Sequence, residues 1–303
     1  MTMKIAIVQD GPVFLNKEET LLKALSYMDK AANSDIIAFG ETWFSGYPAW
    51  LDYCPNVGIW DDEKIKEVYA RTVANSVSVT GLELDEIRQK AKELNLAVIL
   101  GINEKVEHGI GNGSLFNSIV TINEFGEIVN HHRKLMPTFT EKLVYSHGDG
   151  AGLQSVSIHN QKVGSLICWE HWLPMARQAM HNEGERIHFA LWPWVHDRHE
   201  LACRQYAFEG RCFVIGVGQL MTVAELPESL DIGQLTDTDL LLKGGSCVVK
   251  PNGRYLMPPN FTDKFIEIEI DLAETVKEQM TLDVTGNYAR WDVFDFSIDK
   301  TRK

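Results

Sequence analysis

Apolar and polar positions along the chain follow two alternating rhythms. Short, almost unbroken apolar runs at 4–9, 35–39, 96–102, 162–167, 188–192 and 213–217 predict strands buried on both faces. Between them, Leu21, Leu22, Leu25, Met28 and Ala32 recur at helical spacing, with Asn16 suited to cap the helix and Glu19 placed for a box-like start. Ile65, Val68, Tyr69, Thr72 and Val73 mark a second amphipathic helix, and Leu84, Ile87, Ala91 and Leu94 a third. A further helix is predicted after Cys168 to about residue 183, and another over 197–210, opened by Asp197 and Glu200. Turn chemistry at Asn123-Glu124-Phe125-Gly126, His159-Asn160 and Pro251-Asn252-Gly253 predicts hairpins, and 264–270 reads as a closing strand.

Strands alternating with helices early and late, with hairpins between, predict an α/β fold: a layered sandwich with mixed sheets. No Pro/Gly/Ser linker interrupts the chain, so one domain is expected over 1–280. The tail over 281–303 has no clear period but is too aromatic for simple disorder, and is expected to pack on something such as another subunit. The hairpins at Gly126 and Gly253 look alike, which is too little to establish an internal repeat. The loops at 52–61 and 222–240 have no course that the pattern fixes.

Composition narrows the function classes. Across 303 residues, 45% are apolar and 23% charged, as in an ordinary globular protein. The net charge of −13 argues against nucleic acid or an anionic membrane as partner, and suits a soluble enzyme of the cytoplasm. The apolar stretch Ile5-Ala6-Ile7-Val8 stops at Gln9-Asp10, too short for a signal-peptide core, and no stretch approaches the ~20 apolar residues of a membrane span. The five cysteines are scattered without a CxxC, as expected of free thiols in a reducing compartment.

Cys168 closes the run Gly164-Ser165-Leu166-Ile167, and Pro174 beyond it suits the first turn of a helix. A thiol on such a bend can face a pocket and gain thiolate character from the helix start, or it can be a buried structural cysteine; position alone does not choose. Glu41 and Lys134 also close or follow strands, where open α/β sheets build their sites. Individually, Glu41 reads as a loop residue and Lys134 as part of a solvated basic run, His131-His132-Arg133-Lys134. Together, a thiol, a carboxylate and an ammonium make a kit for nucleophilic catalysis.

The surrounding words sharpen this. Gly40-Glu41-Thr42-Trp43-Phe44-Ser45-Gly46-Tyr47-Pro48, His132-Arg133-Lys134-Leu135-Met136-Pro137-Thr138 and Cys168-Trp169-Glu170-His171 resemble, in that order, the three catalytic regions of the nitrilase superfamily. The resemblance continues through Gly148-Asp149-Gly150, Trp192-Pro193 and Gly286-Asn287-Tyr288-Ala289-Arg290, so it covers nearly the whole chain. Cys-Trp-Glu followed by His is similar to true nitrilases and their cyanide-degrading relatives. The resemblance implies a four-layer α-β-β-α sandwich that pairs into an αββααββα dimer or a higher homo-oligomer. It implies Cys168 as nucleophile on a nitrile carbon, Glu41 as general base and acid, and Lys134 with the Trp169 backbone N–H as stabilisers of developing charge. It further implies Glu141 as the residue that holds Lys134 or the substrate. The expected substrate is a small nitrile, converted to acid and ammonia through a thioimidate and a thioester with no cofactor or metal. An amidase or a cyanide dihydratase on the same scaffold is the alternative, and a non-enzymatic binding protein a more distant one.

Tyr47, Trp172 and Trp192 are expected to wall the substrate pocket, though tryptophans are as readily core residues. His196-Asp197-Arg198-His199 looks like a metal site, but the histidines lack i, i+4 spacing, and a helix start capped by Asp197 explains it better. Glu170 and His171 are candidates either for catalysis or for shaping the bend. Asn287, Ala289 and Trp291 stand where the family more often has His, Ser and Pro, and the chain stops soon after Phe296, which leaves spiral assembly open.

Overall fold

The computed structural model describes residues 1–109, 111–226, 230 and 232–303. Its first sheet contains β1 (Thr2–Val8), β2 (Ile36–Phe39), β3 (Ala97–Lys105), β4 (Leu115–Ile122) and β5 (Ile128–Arg133). The second contains β6 (Val156–Ile158), β7 (Gln161–Ile167), β8 (Ile187–Leu191) and β9 (Phe213–Val217). A two-stranded ribbon follows, β10 (Leu220–Thr222) with β11 (Leu240–Lys243), and then β12 (Ser246–Val249) and β13 (Tyr255–Asn260) complete the second sheet. The last strand, β14 (Phe265–Asp271), returns to the first sheet against β1.

The sheet orders are β14-β1-β2-β3-β4-β5 and β6-β7-β8-β9-β12-β13. In each, three parallel strands are flanked by one antiparallel edge strand and by one hairpin. The molecule is therefore built from two matching halves, a repeat that the two similar hairpins alone could not establish. Their turn glycines, Gly126 and Gly253, share positive φ values of 78° and 76°.

Strand alternation sorts the layers. Ile5, Ile7, Ile36, Ala38 and Ile99 face the second sheet, while Ala6, Val8, Ile37, Phe39 and Val98 face the helices α1 (Lys17–Lys30) and, after the one-turn α2 (Trp50–Tyr53) and α3 (Glu63–Asn75), α4 (Leu82–Leu94). The outer face of the second sheet packs on α5 (Pro174–Asn182) and α6 (Asp197–Gly210). Helix, sheet, sheet and helix make the four-layer sandwich. Each large apolar side chain so buried contributes about 1.5–3 kcal/mol.

Local expectations are met at several points and corrected at others. The Asn16 side chain accepts the Glu19 N–H at 3.1 Å, and Pro174 opens α5. Helix α5 does not begin at Cys168, however: a 3₁₀ turn over Cys168–Trp172 intervenes. His196 rather than Asp197 caps α6, accepting the Arg198 N–H at 3.3 Å, because Asp197 is already the first helical residue. The short α7 (Ala273–Gln279) was not legible in the pattern. The tail returns to its own chain, where Phe296 and Ile298 pack on the core and Arg302 reaches Asp149 at 3.2 Å. Among the described residues, no helix is long and apolar enough to cross a membrane. Within the undetermined loop 222–240, residues 227–229 and 231 lie outside the described residues.

Candidate active site

Glu41 follows β2, Lys134 follows β5 and Cys168 follows β7, so all three stand at strand ends, and the fold brings them together. Strand periodicity explains Lys134. His131 and Arg133 turn to one side and pair with Glu104, His131 at 2.8 Å; His132 and Lys134 turn to the other. The supposed solvated run is thus paired throughout. Lys134 Nζ donates to Glu41 Oε1 at 2.7 Å and to Glu141 Oε2 and Oε1 at 2.7 and 3.0 Å. Glu141 is fixed by the Thr138 N–H at 2.9 Å in a capping box, and by the Tyr47 hydroxyl at 3.1 Å. Carboxylate oxygens of Glu41 and Glu141 and the Cys168 Sγ all lie within 4.8 Å of one another. A cation could sit among three such atoms, but the Lys134 ammonium, bonded to both carboxylates, already supplies positive charge there.

The three protonation states differ for stated reasons. Burial pushes Glu41 up to about 7, helped by Glu141 and opposed by Lys134 and Asn117. Its Oε1 accepts from Lys134 and from Asn117 Nδ2, each at 2.7 Å, while its Oε2 has no partner among the described residues. Burial, with Glu41 and Glu141, holds the Cys168 thiol well above the usual thiol range, against the pull of Lys134 and the Trp169 N–H. For Lys134, burial works against the charge, but the negative groups around it hold it well above its ordinary value. The resting pair is therefore a thiol beside a carboxylate with one free oxygen. The help expected from a helix start comes from the 3₁₀ turn that Cys168 itself opens, through the Trp169 N–H, because α5 begins only at Pro174.

Cys168 itself is strained. Its φ of 51° lies in the left-handed region, which costs a non-glycine residue on the order of 1–2 kcal/mol. Glu170 holds the bend by accepting the N–H groups of Ile167 and Leu135, each at 2.8 Å, and by pairing with His132 at 2.9 Å. Those bonds outweigh burial and lower its pKa. Glu170 thus shapes the turn and ties it to the residue after Lys134.

A cavity of about 230 Å³ opens beside Cys168 and Trp169, walled by Tyr47, Tyr53, Trp194 and Leu241, with Asp52 and His196 also on its lining. Trp172 and Trp192, expected as pocket walls, do not line it. Trp192 is fully buried and stacks on His199 at 4.1 Å, and Trp172 packs beside Trp169 at 6.3 Å. The chain bends after β8, so that Pro193 and Trp194 face the cavity instead. His199 also lines it, its Nδ1 donating to the Trp194 carbonyl at 2.8 Å, and burial with His196 lowers it to about 3. Sequence reasoning missed Asn117 and Gln219, which donates to the Glu41 carbonyl at 2.7 Å. The only signal for Asn117 was a polar residue inside the apolar run of β4.

The family profile described as carbon-nitrogen hydrolase matches residues 4–277, and the chain belongs to that family. Its relatives include "Nitrilase 2" of an unknown prokaryotic organism, 32% identical over 99% of this chain and 93% of the relative. An aliphatic nitrilase of Sinorhizobium fredii is 32% identical over 99% of this chain and 96% of its own. An arylacetonitrilase of Arthroderma benhamiae is 30% identical, covering 99% and 95%. Among solved structures, a CN-hydrolase superfamily protein of Xanthomonas campestris superposes with a TM-score of 0.72 at 16% identity, covering 99% of this chain and 100% of the other. A nitrilase-superfamily member of Saccharomyces cerevisiae gives 0.71 at 15%, covering 95% and 96%. At such identities the structures speak for the fold alone.

Proposed function

We propose that this protein hydrolyses a small organic nitrile to the carboxylic acid and ammonia, with Cys168 as nucleophile. The observation that carries the reading is the convergence of the Cys168 thiol, the half-free Glu41 carboxylate and the Lys134 ammonium, in a cluster that opens to one cavity through Cys168 and Glu141. Full-length relatives named as nitrilases support nitriles over other carbon–nitrogen bonds.

Glu41 takes the thiol proton as Sγ bonds to the nitrile carbon; the π pair moves to nitrogen, which receives that proton, giving a thioimidate. Water then adds, Glu41 carrying one of its protons to nitrogen; as the tetrahedral intermediate collapses the hydroxyl proton follows by the same route, the C–N bond breaks and ammonia leaves. A second water attacks the resulting thioester, the C–S bond breaks, and the thiol regains its proton. Two waters are consumed per nitrile. Lys134 and the Trp169 N–H stabilise the charge that gathers on nitrogen and later on oxygen, in a site where dry surroundings strengthen both. Lys134 stays charged and Glu41 exchanges protons near neutrality, as a general base should.

The test is a panel of aliphatic, aryl and arylacetonitriles, with the matching amides and cyanide, assayed for ammonia, acid and amide. Acid and ammonia from nitriles are expected. Turnover of amides alone would replace this reading with an amidase, and no turnover at all would leave a binding protein.

A further inference from the structure

From the Cys168 carbonyl runs a buried polar chain, none of it on the cavity lining, that hydrolysis as described does not use. His171 Nδ1 meets the Cys168 carbonyl at 2.8 Å, and His171 Nε2 meets His188 Nε2 at 2.9 Å. His188 Nδ1 then meets Glu185 Oε2 at 2.8 Å, and Glu185 Oε1 accepts from the Tyr206 hydroxyl. The rings of His171 and His188 and the Glu185 carboxylate are all at most 1% exposed. Space has been left for this chain. A Cβ on Gly164, the β7 residue opposite His188, would sit 1.9 Å from Glu185 Oε2.

Proton counting fixes its polarity. A carbonyl at one end and an ionised carboxylate at the other are both acceptors, so each outer ring nitrogen must donate. The N···N contact between the rings needs one more hydrogen. Two imidazoles therefore share three protons and one positive charge, balanced by Glu185. Burial pushes His171 well below the usual imidazole range, whereas Glu185 stays ionised down to about 2, as the neighbouring histidines outweigh its burial. The extra proton is placed on the ring that touches the Glu185 carboxylate, which leaves His171, whose Nδ1 faces the Cys168 carbonyl, as the neutral Nδ1–H tautomer.

The Cys168 carbonyl and the Trp169 N–H belong to one planar trans peptide and point in opposite directions. Pinning the oxygen therefore also fixes the Trp169 N–H, which lies against the Cys168 thiol. We propose that Glu185, His188 and His171 form a relay of positioning residues that locks the Cys168–Trp169 peptide, and with it the Trp169 N–H, toward the substrate. The inference rests on the hydrolytic reading above.

Two measurements test it. Histidine-labelled ¹⁵N NMR of the intact protein should give His171 as the Nδ1–H tautomer and His188 as doubly protonated; an Nε2–H His171 or a neutral His188 overturns the relay whatever the enzyme hydrolyses. Kinetically, His188→Leu keeps the volume but loses the donor and should lower kcat about ten- to hundredfold with KM within twofold, because an oxyanion donor is worth roughly 10²–10³. His188→Gln, which can still donate to His171, should recover most of that loss. Gly164→Ala, which displaces Glu185 without altering a ring, should resemble His188→Leu. Wild-type kcat in folded His188→Leu, or equal losses in the Leu and Gln variants, overturns the proposal. Absence of turnover in the wild type on every substrate would instead sink the hydrolytic reading and leave the NMR result standing.

Discussion

Two buried carboxylates on either side of Cys168 meet opposite fates. Glu41, in front, is pushed up to about 7; Glu185, behind, is held at about 2. Both are fully enclosed, so burial does not separate them. Partners do. Among the described residues, Glu185 has a donor on each oxygen, His188 on one and Tyr206 on the other, whereas Glu41 has both its donors on Oε1 and none on Oε2. A satisfied carboxylate is scaffolding, and one with a free lone pair beside a thiol is poised to move a proton.

The comparison breaks most sharply at turnover. Cys168→Ala should lower kcat by ~10⁴-fold or more, and Glu41→Gln by roughly 10³-fold, with the fold retained in both by circular dichroism. If Glu41→Gln kept wild-type turnover, the base would have to be sought elsewhere.

These front-side residues were legible because strand ends can be read from apolar runs, and each of Glu41, Lys134 and Cys168 stands just past one. Glu141 needed the resemblance, since a 3₁₀ turn of a few residues leaves no periodic trace. The relay behind Cys168 could not be read. His171 and His188 meet only because β7 and β8 are parallel neighbours that set Gly164 opposite His188, a long-range register that no local pattern encodes. Trp192 was misread for a similar reason: which way an aromatic faces after a strand depends on the bend at Pro193. The matching sheet orders were hidden because the halves share geometry and not residues; the strand ends that carry Gln9 and Glu41 in one carry Cys168 and Trp192 in the other.

Stability should separate the two carboxylates by sign. A raised carboxylate weakens the fold as pH climbs through its folded value, while a lowered one contributes stability above its unfolded value of roughly 4.3 and loses it toward its folded one. At pH 8, urea unfolding of Glu41→Gln should therefore show a midpoint at or above wild type. Glu185→Gln should fall below it, by on the order of 3 kcal/mol for an ion left unpaired in the core. The wild-type midpoint should decline between about pH 4.5 and 2, and Glu185→Gln should flatten that decline. A Glu185→Gln protein as stable as wild type at pH 8 would mean that the rear network is dispensable to the fold.

A smaller effect concerns the acid limb of activity. In the proposed mechanism Glu41 must be ionised to accept the thiol proton, so kcat/KM should fall tenfold per unit below about pH 7. Asn117→Ala removes one of the two donors on Oε1, which leaves the ionised form less stabilised. The limb should move to higher pH by about one unit, the worth of a hydrogen bond to a charged group. A limb that stayed in place, or moved down, would show that Asn117 does not tune the base.

The finest test is Tyr47→Phe. Its hydroxyl donates to Glu141 Oε1 at 3.1 Å, but Glu141 keeps Lys134 at 2.7 and 3.0 Å and the Thr138 N–H at 2.9 Å without it. Three remaining bonds hold the carboxylate and, through it, the ammonium, so kcat should drop only about three- to tenfold, less than the full worth of a hydrogen bond to a charged group. Tyr47 also lines the cavity, where the phenyl ring that remains preserves the wall, so KM should move less than kcat. If KM rose while kcat held, Tyr47 would be a substrate contact and Glu141 would need no help in keeping Lys134 in place.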